Sequence, residues 1–343
     1  MLTSRQIDIL RVVISDFIDQ ATPVGSVKLK DQHQLPYSTA TIRNEMAYLE
    51  EIGLLTKPHT SAGRVPSNLG YRYYVDYLVN DDAVDQSMKE KIEEIFNNRK
   101  LAIDDIVREA TNLVAEMTNY TSIALGNENE EILNKVQVVP LSSNSIVMMV
   151  VTQSGKVESK IFNVEEELDI SDLLQCVDTM NKILAGHRLS EIEHLVEHDF
   201  ADKLGNYLVT YEYLVDALIA AVMKFSHDYI YVSGKNNIIN QPDFNDINKV
   251  RNLINIMEND QFFQYLLEAG TNPSVKIGDE NEIIEVDDVS IVTSNYQISE
   301  TEKGVIAIVG PTRMDYDKVI TLLDYVSNRI SDLIQGNRGG SNE

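Results

Sequence analysis

Residues 38–53, STATIRNEMAYLEEIG, constrain the chain more than any other stretch, because they are bounded as a helix and patterned on both faces. Pro36 and Tyr37 hold the chain extended ahead of Ser38, whose hydroxyl stands where an N-cap is wanted, and Gly53 marks the stop. At about 100° per residue, Ile42, Met46, Leu49 and Ile52 share one face, while Thr39, Ala40, Arg43, Asn44 and Ala47 share the other. That second face is small and polar, without the long Glu and Lys side chains of an ordinary solvated stripe. Arginine can fork onto guanine, asparagine can pair with adenine, and small neighbours let a backbone sink into a major groove. Taken alone, the stretch is equally an amphipathic surface helix, so its flanks decide.

Ahead of it, Thr3 and Gln6 form a capping box for a helix with Ile7, Leu10, Ile14, Phe17 and Ile18 at helical spacing. A break around Pro23 leads to a second short helix from Ser26 to about Gln32, ended by Leu35 and Pro36. Three short helices with tight connections, the third carrying a polar outer face, match the helix-turn-helix plan. Behind the third helix, residues 54–57 read as a strand, 58–63 as a polar tip and 64–66 as the return, which together make a wing. Such a hairpin lies along phosphates or a minor groove, and the alternative is a surface hairpin without a ligand. The candidate DNA contacts are therefore Ser38, Thr39, Arg43 and Asn44 on the helix, with Lys57, His59, Thr60, Ser61 and Arg64 on the wing.

The formal net charge of −25 argues against a nucleic-acid partner until its distribution is read. Residues 1–80 carry 8 Lys/Arg against 8 Asp/Glu, whereas residues 81–343 hold 21 basic and 46 acidic side chains. Residues 52–75 contain no Asp or Glu, yet include Lys57, His59, Arg64 and Arg72. An acid-free cationic segment beside the candidate helix is the electrostatic footprint of a DNA-binding head. Cys176, the single cysteine, excludes an intramolecular disulfide framework and fits a reducing compartment. The apolar runs at 146–151 and 305–309 are only of strand length, and the N-terminus lacks a basic-then-apolar leader pattern. A cytoplasmic protein with no membrane partner is expected.

The motifs ATIRNEMAYLEEIGLL, PHTSAGR and GYRYYVDYL, in this order and spacing, resemble the heat-inducible transcription repressor HrcA family of bacteria. TNYTSIAL from Thr118 and GPTRMDYDKVI from Gly310 resemble the same family's downstream signatures, so the likeness covers residues 1–335. The resemblance implies a dimeric winged-helix repressor of chaperone operons. It further implies an inverted-repeat operator, the CIRCE element, and activity supported by the GroEL chaperonin. Carried onto matching positions, it marks Thr39, Arg43, Asn44, His59, Thr60, Ser61 and Arg64, whose individual roles rest on side-chain chemistry. Ser67 stands where the family commonly has Thr, and Lys57 where it often has a neutral residue. Both departures keep or raise phosphate affinity.

The expected architecture is α+β and multidomain: a winged helix-turn-helix head over 1–80, a helical linker over 81–102, and an α+β domain made of 103–164 and 226–335. A helical insertion over 165–225 interrupts that domain, and the polar tail 336–343 is expected to be disordered. Strands are expected at 135–141, 146–152, 156–162, 229–233, 274–277, 289–293 and 305–309, with a closing helix over about 316–334. The resemblance makes the interrupted domain GAF-like and the insertion dimerising. Two long apolar-faced helices in so short an insertion need a twofold partner to cover them. Tyr71, Tyr73, Tyr74 and Tyr77 read as packing, since duplex DNA offers no free bases to stack on.

His194 and His198 stand at i, i+4 beside Glu193 and Glu197, but without a third fixed ligand they read as a solvated charged face. The segment at 310–316 either receives an anion with help from Arg313 or makes a turn, capped by Thr312, with Arg313 paired to an acid. No phosphate-binding glycine loop, cysteine nucleophile or carboxylate pair emerges, so no enzyme activity, cofactor or metal is expected. The leading reading is a homodimeric repressor of chaperone operons that is modulated by GroEL. The alternatives are a winged-helix regulator whose GAF-like domain senses a small molecule, and a winged helix used for protein contacts.

Overall fold

The computed structural model describes residues 2–59, 63–80, 83–98, 103–126, 132–142, 145–153, 155, 157–163, 170–189, 191–192, 195–196, 214–215, 218–219, 221–222, 230–244, 246–268, 270, 272–282, 284, 288–298 and 303–339. Helix α1 (Ser4–Gln20) starts where the capping box puts it: the Thr3 hydroxyl accepts from the Gln6 amide, and the Thr3 amide donates to Gln6 Oε1 at 2.9 Å. Its apolar stripe, Ile9, Leu10, Val13 and Ile14, is buried against Leu29 of α2 (Ser26–His33) and Ile42, Met46 and Leu49 of α3 (Thr39–Glu51). Gly53, at φ +80°, makes the turn out of α3, a backbone conformation that costs other residues a Cβ clash. Strand β1 (Leu55–Thr56) then pairs antiparallel with β2 (Val65–Pro66), and helix α4 (Asn68–Tyr77) follows.

Two compact units emerge, residues 1–125 with 231–343, and residues 126–230. The first continues through α5 (Gln86–Phe96), α6 (Ile103–Thr118) and β3 (Thr121–Leu125). Its C-terminal portion runs β7 (Ile230–Ser233), α8 (Lys235–Ile239), α9 (Ile247–Met257), α10 (Asp260–Leu267), β8 (Ser274–Ile277), β9 (Val289–Gln297), β10 (Lys303–Pro311) and α11 (Tyr316–Gly339). The five strands order as β7-β3-β10-β9-β8, with β10 antiparallel to both β3 and β9. Helices α6 and α11 cover one face, and α8 and α10 pack on the strands as well. One apolar core joins Ile14, Tyr71, Ile92, Phe96, Val114, Ile306, Tyr316 and Leu323, so α5 is packed into this unit and is no free linker.

The second unit holds β4 (Leu133–Ser142), β5 (Ser145–Thr152), β6 (Val157–Asn163) and α7 (Ile170–Leu184). The strands form their own antiparallel sheet in the order β4-β5-β6. Val136, Val138, Ile146, Met148 and Val150 alternate toward Leu173, Cys176, Val177, Met180 and Leu184 of α7. Asn181 fastens the helix down, accepting from the Val136 amide at 2.7 Å and donating to its carbonyl at 2.8 Å.

This differs from the expected domain plan in three places. The strands over 133–163 do not join the larger sheet, so the insertion begins near residue 126 rather than 165 and is not purely helical. The reason is local: three strands in a row, linked by short turns, pair with one another and give α7 an apolar face to sit on. That face covers the stripe of α7, which removes the argument that this helix must await a partner copy. The third difference is at the end of the chain, where α11 continues to Gly339 instead of yielding to a disordered tail at 336. His194 and His198 lie outside the described residues. No helix among the described residues is long and apolar enough to cross a membrane.

Candidate nucleic-acid interface

The expected N-cap is made: Ser38 has extended backbone, φ −71° and ψ 153°, and its hydroxyl accepts from the Thr41 amide at 3.1 Å. It also lies 2.8 Å from the Thr41 hydroxyl, so Ser38 serves the helix before it serves a ligand. Ile42, Met46 and Leu49 are buried as their spacing requires. Ile52, expected on the same face, is 37% exposed, because the helix has ended and Ile52 is its C-cap. On the opposite face Ala40, Arg43, Asn44 and Ala47 are exposed and Thr39 is half-buried. Arg43 and Asn44 make no hydrogen bond or ion pair with any described residue. Tyr48, one turn beyond Asn44, is 44% exposed and extends the same surface.

Three carboxylates lie on α3 and would repel a phosphate backbone: Glu51, in the last turn, is exposed, whereas Glu45 and Glu50 are neutralised. Glu45 accepts from Arg5 Nε at 2.7 Å and from Gln6 Nε2 at 2.9 Å, which turns it back onto α1. Glu50 lies 2.6 Å from an Arg64 guanidinium nitrogen. Neither partnership has a local sequence signal, since Glu45 meets Arg5 from 40 residues away and Glu50 meets Arg64 only because the hairpin folds back on α3.

The hairpin behind α3 is extended by a third chain segment. Val24 and Arg64 exchange both backbone hydrogen bonds at 2.8 Å, which seats the base of the hairpin between α1 and α2. Gly63 is needed at that crossing, because a Cβ there would lie 2.3 Å from the Val24 carbonyl oxygen. Lys57 and His59 are exposed, and Thr60 and Ser61 lie outside the described residues. Arg64 departs from its expected role as an outward donor. Its side chain is only 16% exposed and its charge is engaged by Glu50, because the backbone pairing with Val24 aims the side chain at the last turn of α3.

The head is fixed to the rest of its unit by polar contacts. Arg72 of α4 donates to the Val275 carbonyl at 2.6 Å and pairs with the Glu280 carboxylate. Burial alone would raise the Glu280 pKa, but the hydrogen bonds from Arg72 and the Ile277 amide outweigh it and hold the carboxyl below the usual range. Tyr74 donates to Asp317 at 2.8 Å, and burial together with that hydrogen bond raises its hydroxyl pKa well above the usual value. Arg313, buried, pairs with Asp243 at 2.9 Å and donates to the Ile18 carbonyl at 2.6 Å. Arg313 thus clamps the end of α1, and the first turn of α11 is capped by Asp315, which accepts from Lys318, rather than by Thr312. Tyr71 and Tyr74 are buried, with Tyr71 packed 5.8 Å from the Tyr316 ring, whereas Tyr77 is exposed.

Residues 104–320 match the family model described as the HrcA protein C terminal domain. Over 346 aligned residues the chain is 39% identical to a heat-inducible transcription repressor HrcA of Lysinibacillus sphaericus, an alignment that spans 98% of this chain and 99% of that protein. A 2.2 Å crystal structure of a hypothetical protein superposes with a TM-score of 0.67 at 22% identity, covering 98% of this chain and 99% of its own, which supports the fold. A family model over more than half the chain and a full-length relative agree: the chain belongs to the HrcA family of heat-inducible transcription repressors.

Proposed function

We propose that residues 1–80 are a winged helix-turn-helix that reads an inverted-repeat operator of the CIRCE type upstream of chaperone operons, with α3 in the major groove. The observation that carries this reading is the state of α3. Arg43 and Asn44 are exposed and engaged by no described residue, while two of the three α3 carboxylates, Glu45 and Glu50, are held by Arg5 and Arg64. Arg43 and Asn44 supply the forked and amide donors that distinguish guanine and adenine edges. Thr39 and Ser38 sit at the groove-entering end, and Lys57, His59, Thr60 and Ser61 reach phosphates or the minor groove.

A palindromic operator demands two heads, and the second unit supports a homodimer. One face of its sheet carries apolar side chains that no described residue covers: Val139, Val147 and Ile161 stand side by side across β4, β5 and β6, and Val151 stands beside Val157, with Lys135, Gln137 and Ser159 on the same face. Ile161 is 63% exposed, and Val139 and Val157 are exposed as well. An apolar patch of this kind on a folded unit is an interaction surface, and a second copy of the same patch is self-complementary. The five-stranded sheet with its covering helices would be the GAF-like body, and the protein would work in the cytoplasm. Support of the active state by the GroEL chaperonin completes the proposal and rests on family membership.

The test is a titration of a duplex bearing the CIRCE inverted repeat, a single half-site and a scrambled duplex, each at several salt concentrations. Preference for the full repeat, with affinity falling steeply as salt rises, is expected. Equal binding to all three duplexes rejects the reading. Repeating the titration after a mild heat step, with and without GroEL, is expected to show recovery only with the chaperonin.

A further inference from the structure

We propose that the first unit binds a small zwitterion, the size of an aliphatic amino acid, in a cavity between helix α10 and strands β8 and β9. The cavity has a volume of about 180 Å³. Pockets for drug-sized ligands run from roughly 300 to 1,000 Å³, so this one suits a small metabolite.

Its floor follows from strand register. Ser274 pairs with Thr293 and Lys276 with Ile291 across β8 and β9, and directly paired residues point to the same side of a sheet. All four therefore face α10, and all four line the cavity. Alternate residues of β9 point the other way, toward α11, and their hydroxyls are satisfied. Ser290 meets the Tyr316 hydroxyl at 2.8 Å, and Ser294 meets Ser327 at 2.8 Å. Thr293 is different. It is 4% exposed, and its Oγ1 has no hydrogen-bond partner among the described residues. Buried hydroxyls are rarely left in that condition, and one set into a cavity floor is a point of attachment for a polar ligand.

The charges around the cavity choose the ligand class. Lys276 forms no hydrogen bond or ion pair with the described residues. Its charge acts on the Glu280 carboxylate, but Arg72 holds that group, which leaves the Lys276 ammonium without a direct partner among the described residues and open to a ligand carboxylate. Glu268 and Glu282 line the same cavity and are exposed, which disfavours a ligand with a second negative charge and favours one carrying an ammonium. Leu266 and Ile291 supply the apolar wall for a short aliphatic chain. A carboxylate on Lys276, an ammonium toward Glu268 and Glu282, a hydrogen bond with Thr293 and an apolar chain against Leu266 together describe an α-amino acid. None of this depends on the DNA-reading proposal, because the cavity and its lining lie outside the head.

The test is titration calorimetry of the full-length protein with each of the twenty L-amino acids, and with isovalerate and isopentylamine as single-charge controls. Saturable binding of at least one aliphatic amino acid, at one per chain, is expected. Lys276→Met is expected to weaken it by about tenfold or more. Thr293→Val, which keeps the shape but removes the hydroxyl, is expected to weaken it while leaving the melting temperature no lower than that of the parent. Absence of saturable binding by any amino acid would mean a cavity holding water only and overturns the proposal. Binding of isovalerate as tight as that of leucine overturns the zwitterion assignment. Amino-acid binding that survives both substitutions places the ligand elsewhere and overturns the site.

Discussion

The Arg64 guanidinium lies 2.6 Å from the Glu50 carboxylate, so the hairpin behind α3 is anchored to the last turn of the helix it follows. A side chain in this position holds the interface together from behind. Arg64→Ala is therefore expected to cost stability, about 1 kcal/mol in urea unfolding, by releasing Glu50 and loosening the hairpin. The slope of operator affinity against salt is expected to stay as in the parent, whereas loss of a true phosphate contact lowers that slope by about 1. A lowered slope in Arg64→Ala would return Arg64 to the DNA surface.

Arg72 has a comparable role on the other side of the head, where it joins α4 to the Val275 carbonyl and to Glu280. Arg72→Ala strands both partners, and a loss of about 1 to 3 kcal/mol is expected on equilibrium unfolding. Arg108→Ala is the control, since its pair with Asp105 is an exposed i, i+3 contact and is worth about 0.5 kcal/mol or less. Equal losses in the two variants would show that Arg72 is an ordinary surface arginine.

Glu93 gives the fold a defined acid sensitivity. Arg329 donates to it twice, at 2.6 and 2.8 Å, and Tyr325 adds a third hydrogen bond at 2.8 Å. Arg329 holds the Glu93 carboxyl below its ordinary pKa, against a smaller opposing effect of burial. Since the folded-state pKa is the lower one, the stabilisation is complete above the unfolded value of about 4.3 and is lost as pH falls through the folded value. Glu93→Gln is expected to lower the melting temperature near neutrality and to flatten its acid decline. Identical acid declines in parent and variant would remove Glu93 from the pH response.

The two faces offered by the second unit make opposite claims about the dimer. Ile161 is on the sheet face that no described residue covers, while Leu174 is exposed on α7. Ile161→Asp is expected to shift the protein toward monomer in sedimentation velocity, and Leu174→Asp to leave it dimeric. The reverse pattern would restore a helical interface.

How far these features were legible in the sequence depended on their range along the chain. The third helix was legible because its cap, period and stop all fall within residues 38–53, as was the capping box of Thr3 and Gln6. Strand positions in 133–163 were legible too, but not the sheet they belong to, because alternation marks a buried face without naming its cover. The roles of Glu45, Glu50 and Arg64 were hidden for a related reason. Arg5 and Glu45 are 40 residues apart and Arg72 and Glu280 are 208 apart, so no local pattern announces either pairing. Arg64 looked like a DNA ligand because its residue type and place in a cationic hairpin suit one, and only its backbone pairing with Val24 redirects it.

The most direct test of base reading by α3 is the affinity of Arg43→Ala and Asn44→Ala for a set of operator duplexes, each changed at one base pair in both half-sites. Each substitution is expected to cost about 1 to 3 kcal/mol on the parent operator and to erase discrimination at one position per half-site, with the other positions still read. A uniform loss across the whole set, with discrimination intact at every position, would contradict base reading by α3 and reduce both side chains to backbone contacts.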